Sequence, residues 1–372
     1  MRPQDEIISC RQFTLLVCSF IIGTAILLVP GQVIATSRQD AWLATLLSFF
    51  PGLLLIVLLV TLQKQYPGRS LVTICADVLG IWGLPAAALL VWFALHLGAL
   101  VLRNIGDFIN TVMLFQTPLA ATHILVALLT AYAVFLGLEP LTRAISLLMP
   151  LNLALYLLLQ VIALPDSRWA ELLPLLGQGM LPVLKSVLDL SSFPVGEMIL
   201  LAMIAWPIRD SPRRLAAYWA LGLGGGLVIL LLAVLGAITV LGPADAARAT
   251  FARLSTADAG PASHLTVPVL AFNWFIFTFG KFSLCYYAFV SGLASLTGID
   301  DYRTLILPAG ALLTTFSLAA YQNLGQELNF ARMIWPLYAP PIEYGLPLLL
   351  LAVALARRLV MRGRNTGKLT KP

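Results

Sequence analysis

The chain has 372 residues, of which 60% are hydrophobic and only 11% charged, and its mean hydropathy is +0.92. Soluble domains carry about 25% charged residues, so the composition excludes a soluble protein and describes a polytopic membrane protein. The net charge of +6 is scattered over loops and a basic tail, so it bears on topology and does not suggest nucleic acid.

Residues 1–11 are short and polar, an N-terminal arm. Segment 1 follows, Gln12 to Thr36, long enough to cross a bilayer as a helix, which takes about 20 apolar residues. It is too long for a signal-peptide core, lacks an A-x-A site and leads into more membrane, so a cleavable leader is not expected. Segment 2 runs from Ala41 to Leu62. The stretch Lys64–Gly80 alternates apolar and polar residues and predicts a short interfacial helix. Segment 3 begins near Trp82 and continues past Leu102 through Arg103, Asp107 and Asn110, where the i,i+4 Arg103–Asp107 pair would extend the helix beyond the bilayer. Segments 4 and 5 cover Pro118–Leu138 and Leu141–Leu164.

After an outer loop, segment 6 covers Leu181–Trp206, interrupted by Ser191–Ser192–Phe193–Pro194–Val195–Gly196. Segment 7 is Leu215–Leu241. Gly242–Thr266 is the longest polar loop and a surface that can face a partner. Segment 8 covers Val267–Leu296 and segment 9 Thr304–Tyr321. Segment 10 is expected to start at Pro341, a good first-turn residue, and to end near Val360. The pattern is an all-α chain of ten spans in one membrane domain: an N-terminal arm (1–11), a first five-helix repeat (12–164), a second (181–360) and a basic tail (361–372).

Ten spans place both termini on one side. With the N-terminus inside, inner segments hold fifteen Lys and Arg and outer loops six, so the positive-inside rule puts both termini in the cytoplasm. Trp42, Trp82, Trp169 and Trp206 fall near span ends, as interfacial aromatics should.

The centre of segment 1 is a poor helix. Gly23 costs about 0.8–1 kcal/mol relative to Ala, and Pro30 cannot bond back to the carbonyl at 26. Interrupted backbone at membrane depth needs protein or a water-lined cavity to receive its polar groups. Gly23, Thr24 and Ala25 therefore form a candidate binding-site floor, or else a packing notch or kink. The second interruption, Phe193, Pro194, Val195, Gly196 and Glu197, lies at the matching place in the second half. Paired interruptions point to a transporter-type site, and an odd number of spans per half makes the halves inverted. Half-helix N-termini offer N–H groups to a carboxylate, and C-termini offer carbonyls to an ammonium, so a zwitterionic amino acid suits both.

Three ionisable residues fall at or near membrane depth, where a charge costs about 2.5–3.5 kcal/mol. Lys281, in FTFGKFSLCYY, reads as a fixed cation beside the site, paired with Glu197, or as a structural pair. Glu343 lies near the expected outer start of segment 10 and carries less weight. Lys185 and Asp189 read as a local ion pair. Phe193, Phe272, Trp274, Phe277, Tyr286 and Tyr287 are packing or pocket wall. Gly222-x3-Gly226 fits close helix packing. His96 could line a cavity. The cysteines (Cys10, Cys18, Cys75, Cys285) are widely spaced and give neither a zinc site nor a disulfide framework. P-loop, HExxH, GxSxG and kinase motifs are absent, so no cofactor and no enzymatic activity are expected.

The segment IIGTAILLVP resembles the first helix of amino acid–polyamine–organocation transporters. Taken in order, ISCRQF, GTAILLVP, QDAWLATLL, YPGRSL, LRNIGDF, GLEPLTRAI and FPVGEM resemble the spore germination permeases, the B subunits of endospore germinant receptors. That resemblance implies a LeuT-type fold of two inverted five-helix repeats with helices 1 and 6 broken. It implies a germinant-sensing subunit in the spore inner membrane, partnered by an A subunit and a lipoprotein C subunit, with a small nutrient, often an amino acid, as ligand. By position, the ligand residues are Gly23–Ala25 and Phe193–Glu197. A proton- or sodium-coupled amino acid permease is the alternative.

Overall fold

The computed structural model describes residues 8–204, 212–258 and 263–368. Among these, every regular element is helical. Trp206, Arg209, residues 1–7 and the end of the tail lie outside the described residues.

The first half contains α1 (Cys10–Ile22), α2 (Ala25–Ser37), α3 (Ala41–Leu47), α4 (Phe49–Gln65), α5 (Leu71–Leu79), α6 (Gly83–Phe108), α7 (Leu119–Leu136) and α8 (Leu138–Ala163). The second contains α9 (Met180–Leu190), α10 (Ile199–Met203), α11 (Pro212–Leu241), α12 (Pro243–Arg248), α13 (Ala252–Asp258), α14 (Ser263–Thr297), α15 (Ile306–Ala319), α16 (Leu324–Met333), α17 (Trp335–Tyr338) and α18 (Leu346–Lys368).

Among the described residues, eight helical runs are long and apolar enough to cross a bilayer, and the bent pair α15–α16 makes a ninth. The first of these runs, Ala25–Gln65, has 41 residues. At 1.5 Å per residue it would be about twice as long as a bilayer core if straight. It turns at Arg38, where φ is 51°. The expected count of ten rests on dividing the run there and joining α1 to α2 as one broken segment.

α1 starts with a capping box in which the Ser9 hydroxyl accepts from Gln12 N–H and the Gln12 side chain accepts from Ser9 N–H. It packs on α11 through the expected glycine notch. A Cβ on Gly222 would stand 2.7 Å from the Thr14 carbonyl oxygen, and one on Gly226 would stand 2.8 Å from Ile21 Cβ. α2 continues through Pro30, so the interruption is confined to Gly23–Thr24. Gly31 instead serves packing: a Cβ there would lie 2.7 Å from the Ala249 carbonyl oxygen.

That contact revises the loop expected at Gly242–Thr266. Its described part folds into α12, α13 and the start of α14, and α12 and α13 pack on α2. The expected short helix after segment 2 is α5, capped by Ser70 and leading into α6. Leucines such as Leu125, Leu147, Leu181 and Leu307 are exposed on the outside of the bundle, the face that meets lipid.

Arg103 and Asp107, the expected i,i+4 pair of α6, are both buried and pair at 2.8 Å. Two other expectations are corrected. Lys185 and Asp189 form no ion pair, Lys185 being exposed and Asp189 half-buried. The last span starts at Trp335 and not at Pro341, because Pro340 and Pro341 sit in a wide helical turn, Pro341–Gly345, inside it. A further helix, α16, follows the α15 segment at a bend of 95°.

Candidate functional site

Helix α1 ends at Gly23, whose φ of −28° and ψ of −97° leave the helical range. Its N–H donates to the Ser19 carbonyl at 3.0 Å. Its own carbonyl accepts from Thr278 Oγ1 at 3.1 Å. The Gly23 carbonyl freed by the break is therefore taken up by α14, the helix that carries Lys281. Thr278 and Lys281 are three apart and share a helix face.

The second break is equally specific. Phe193 is extended, with φ −139° and ψ 117°. Ser191 and Ser192 turn their hydroxyls back to the carbonyls of Leu188 and Asp189, at 2.7 and 2.8 Å. Their own carbonyls accept from the Tyr344 hydroxyl at 2.9 Å and from Trp335 Nε1 at 3.3 Å. The carbonyls that the sequence reading offered to a ligand ammonium at this half-helix end are thus already bonded.

Lys281 joins the two breaks. Its amine donates to Glu197 Oε2 at 2.5 Å and to Thr24 Oγ1 at 3.2 Å. It also stands 5.1 Å from the ring centres of both Phe20 and Phe193, a cation–π geometry. Lys281 and Glu197 are essentially unexposed, at 0% and 1%. Removing one partner of a buried pair leaves an uncompensated charge, a cost of about 3–5 kcal/mol. The pair thus holds the first break, the second break and α14 in one arrangement.

Glu343 belongs to the same centre, contrary to its expected place near a span end. It is 0% exposed, and its carboxylate occupies the space that a side chain at Gly196 would need. No donor among the described residues reaches either of its oxygens. Glu197 and Glu343 therefore share one cation, Lys281.

Beside this centre lies a cavity of about 40 Å³. Thr24 lines it from the first break, Leu28 and Gln32 from α2, Leu97, Val101 and Asn104 from α6, and Phe193 and Glu197 from the second break. Glu327 and Ala331 of α16 and Trp335 complete it. Its volume suits a few water-sized groups, so a nutrient-sized ligand needs α16 or the break helices to move.

Three comparisons with known proteins bear on this arrangement. A family model described as "Spore germination protein" matches residues 7–324. The chain belongs to the spore germination protein family. Spore germination protein KB of Bacillus subtilis (strain 168) is 30% identical over 365 residues, covering 94% of this chain and 95% of that one. Spore germination protein YndE of the same organism is 26% identical over 243 residues, covering 63% and 66%. Among solved structures, Mhp1 superposes with a TM-score of 0.67 at 13% identity, over 89% of this chain and 75% of that chain. Mhp1 is a nucleobase–cation–symport-1 family transporter, solved closed with bromovinylhydantoin bound. The likeness gives this spore germination protein the LeuT-type fold, an inverted repeat with broken helices 1 and 6.

Within this family member, the candidate residues fall into two groups. Thr24, Phe193 and Glu197 line the cavity, and Lys281 bonds two of them. Gly23, Ala25, Pro194, Val195 and Gly196 shape the breaks and do not line it. His96 also stays out of the cavity: it is packed among Trp92, Phe316, Phe330, Trp335 and Tyr338, with Nδ1 3.2 Å from the Tyr338 hydroxyl. Of the aromatics in α14, Phe272 is exposed while Trp274 packs 4.3 Å from Phe108. No group of three His, Cys, Asp or Glu among the described residues could hold a metal ion.

Thr278, Trp335, Tyr344, Gln32, Asn104 and Glu327 join the site only in the folded structure. Thr278 had a signal in its spacing from Lys281. Trp335 and Tyr344 had none, because the polar groups they satisfy exist only once the second break is formed.

Proposed function

We propose that this chain is the germinant-sensing, transporter-like subunit of a spore germinant receptor. It binds a small nutrient, most simply an amino acid, at the midplane between the breaks of helices 1 and 6. It signals to an A subunit and a lipoprotein C subunit in the spore inner membrane, with both termini cytoplasmic and residues 12–164 and 181–360 as the two repeats. The observation that carries this reading is the Lys281 amine, bonded at once to Thr24 of the first break and Glu197 of the second.

Family membership supports the germination role, and the fold supports a transporter-like mechanism. The first turn of α2 has no side-chain cap, so its N–H groups suit a ligand carboxylate. A ligand entering the cavity prefers one arrangement of the bundle, and that preference is what shifts the equilibrium. A partner subunit docked on the moving helices then feels the change.

A second reading, a proton- or sodium-coupled amino acid permease, draws on the same lysine. Its fixed charge at the first break can replace a sodium ion electrostatically. The two readings separate on transport: substrate accumulation by the purified protein in vesicles favours the permease.

The test of binding is thermal unfolding of the purified protein against a panel of amino acids, nucleosides and sugars. We expect selective stabilisation of the wild type that is lost in Ala331→Trp, which fills the cavity from α16. Stabilisation that survives Ala331→Trp moves the site elsewhere.

A further inference from the structure

The cavity's α16 wall holds a carboxyl group that the fold leaves without a basic partner of its own. Glu327 is 2% exposed and lines the cavity, no N–H or hydroxyl group of the described residues reaches either carboxyl oxygen, and its one hydrogen-bonding neighbour is another carboxyl, that of Asp107. The nearest guanidinium is committed elsewhere. Arg103 donates Nε to Asp107 Oδ2 at 2.8 Å and Nη1 to the Tyr321 and Ser317 carbonyls at 2.7 and 3.4 Å. Asp107 itself lies beside Glu327. Two carboxyl groups thus share one guanidinium here, just as Glu197 and Glu343 share Lys281 at the breaks.

The rest of the cavity wall sharpens the inference. None of its lining side chains is cationic. The Glu197 oxygen that faces a cation is already taken by Lys281, and the Ser191 and Ser192 carbonyls are taken by Tyr344 and Trp335. Glu327 is therefore the lining carboxyl not bonded to a cation, and so an acceptor open to a positive group arriving in the cavity. Gln32 Nε2, also without an acceptor and also in the lining, is a donor left for an oxygen of the same ligand. Leu28, Leu97 and Leu100 supply an apolar wall suited to a small side chain.

We propose that Glu327 recognises the ligand's ammonium group, so that the cavity takes small primary ammonium compounds and rejects anions and uncharged sugars or nucleosides. The inference rests on the reading of the cavity as the nutrient site. A charged hydrogen bond contributes about 1.5–3 kcal/mol, so its loss weakens binding about ten- to a hundredfold.

The experiment measures affinity by thermal shift and calorimetry on the purified full-length protein. Probes are the amino acids, the matched hydroxy acid L-lactate for L-alanine, ethylamine, inosine and glucose. In the wild type we expect ammonium compounds alone to bind, with L-lactate at least tenfold weaker than L-alanine or undetected. Glu327→Gln keeps the shape and removes the charge, and we expect it to weaken the ammonium compounds about ten- to a hundredfold. Binding of L-lactate, inosine or glucose as tight as that of any ammonium compound overturns the proposal without any variant. So does a folded Glu327→Gln protein with wild-type affinity. If no probe binds the wild type at all, the nutrient-site reading fails and the assignment of Glu327 falls with it.

Discussion

A methyl group on Gly23 would stand 2.7 Å from the Cβ and 2.8 Å from the Cδ of Lys281. Glycine at the first break is thus set by the lysine stem that crosses it, and not by positive φ. Overpacking a well-filled core costs about 1–3 kcal/mol. Gly23→Ala is expected to lower the unfolding temperature of the purified protein and to weaken ligand binding, because Lys281 must shift from Thr24 and Glu197. An unchanged unfolding temperature would mean that the lysine stem yields freely.

The shared cation makes the buried pair asymmetric. Lys281→Met leaves both Glu197 and Glu343 without a cation, whereas Glu197→Gln leaves Lys281 with Glu343 as its remaining counter-charge. Lys281→Met is therefore expected to cost more, about 3–5 kcal/mol, and Glu197→Gln clearly less. The double variant is expected to be milder than Lys281→Met alone. Denaturation of the three variants in the same detergent checks the order.

Glu343 carries the opposite expectation. A buried carboxylate with no donor is a liability for stability. Glu343→Gln removes its charge at nearly constant volume and is expected to leave the unfolding temperature unchanged or raise it. A drop as large as that of Lys281→Met would show that the carboxylate is an essential partner of the lysine.

At Gly222 the α1–α11 contact meets the Thr14 carbonyl oxygen and the Val17 Cβ, both at 2.7 Å, neither of them the far end of a flexible side chain. Gly222→Val is expected to cost several kcal/mol or to abolish expression, whereas Gly224→Ala, whose nearest neighbour is 3.7 Å away, is expected to be near neutral. Expression yield and unfolding temperature of the two variants provide the comparison.

Much of this architecture is legible in the sequence because it is written in hydropathy and in local backbone chemistry. The Gly23–Thr24 and Phe193–Pro194 interruptions stand out in apolar segments, and Lys281 and Glu197 are visible as charges that must find each other in a low-dielectric interior. What the sequence hides is where polar groups from distant helices arrive. Glu343 looks peripheral as long as Pro341 is read as a helix start, and becomes central once the helix begins at Trp335. α16 is polar enough to pass for a loop, so Glu327 gives no sign of reaching the cavity. The carbonyls at Ser191 and Ser192 look free until Tyr344 and Trp335 are placed beside them.

The central claim is that a small ligand binds where the two breaks meet. Hydrogen–deuterium exchange of the purified protein, with and without each amino acid at millimolar concentration, tests it most directly. The account predicts that at least one amino acid slows exchange at Thr24–Leu28 and at Phe193–Met198 together, with α16 following. Protection confined to other helices, or none with any amino acid, would contradict it.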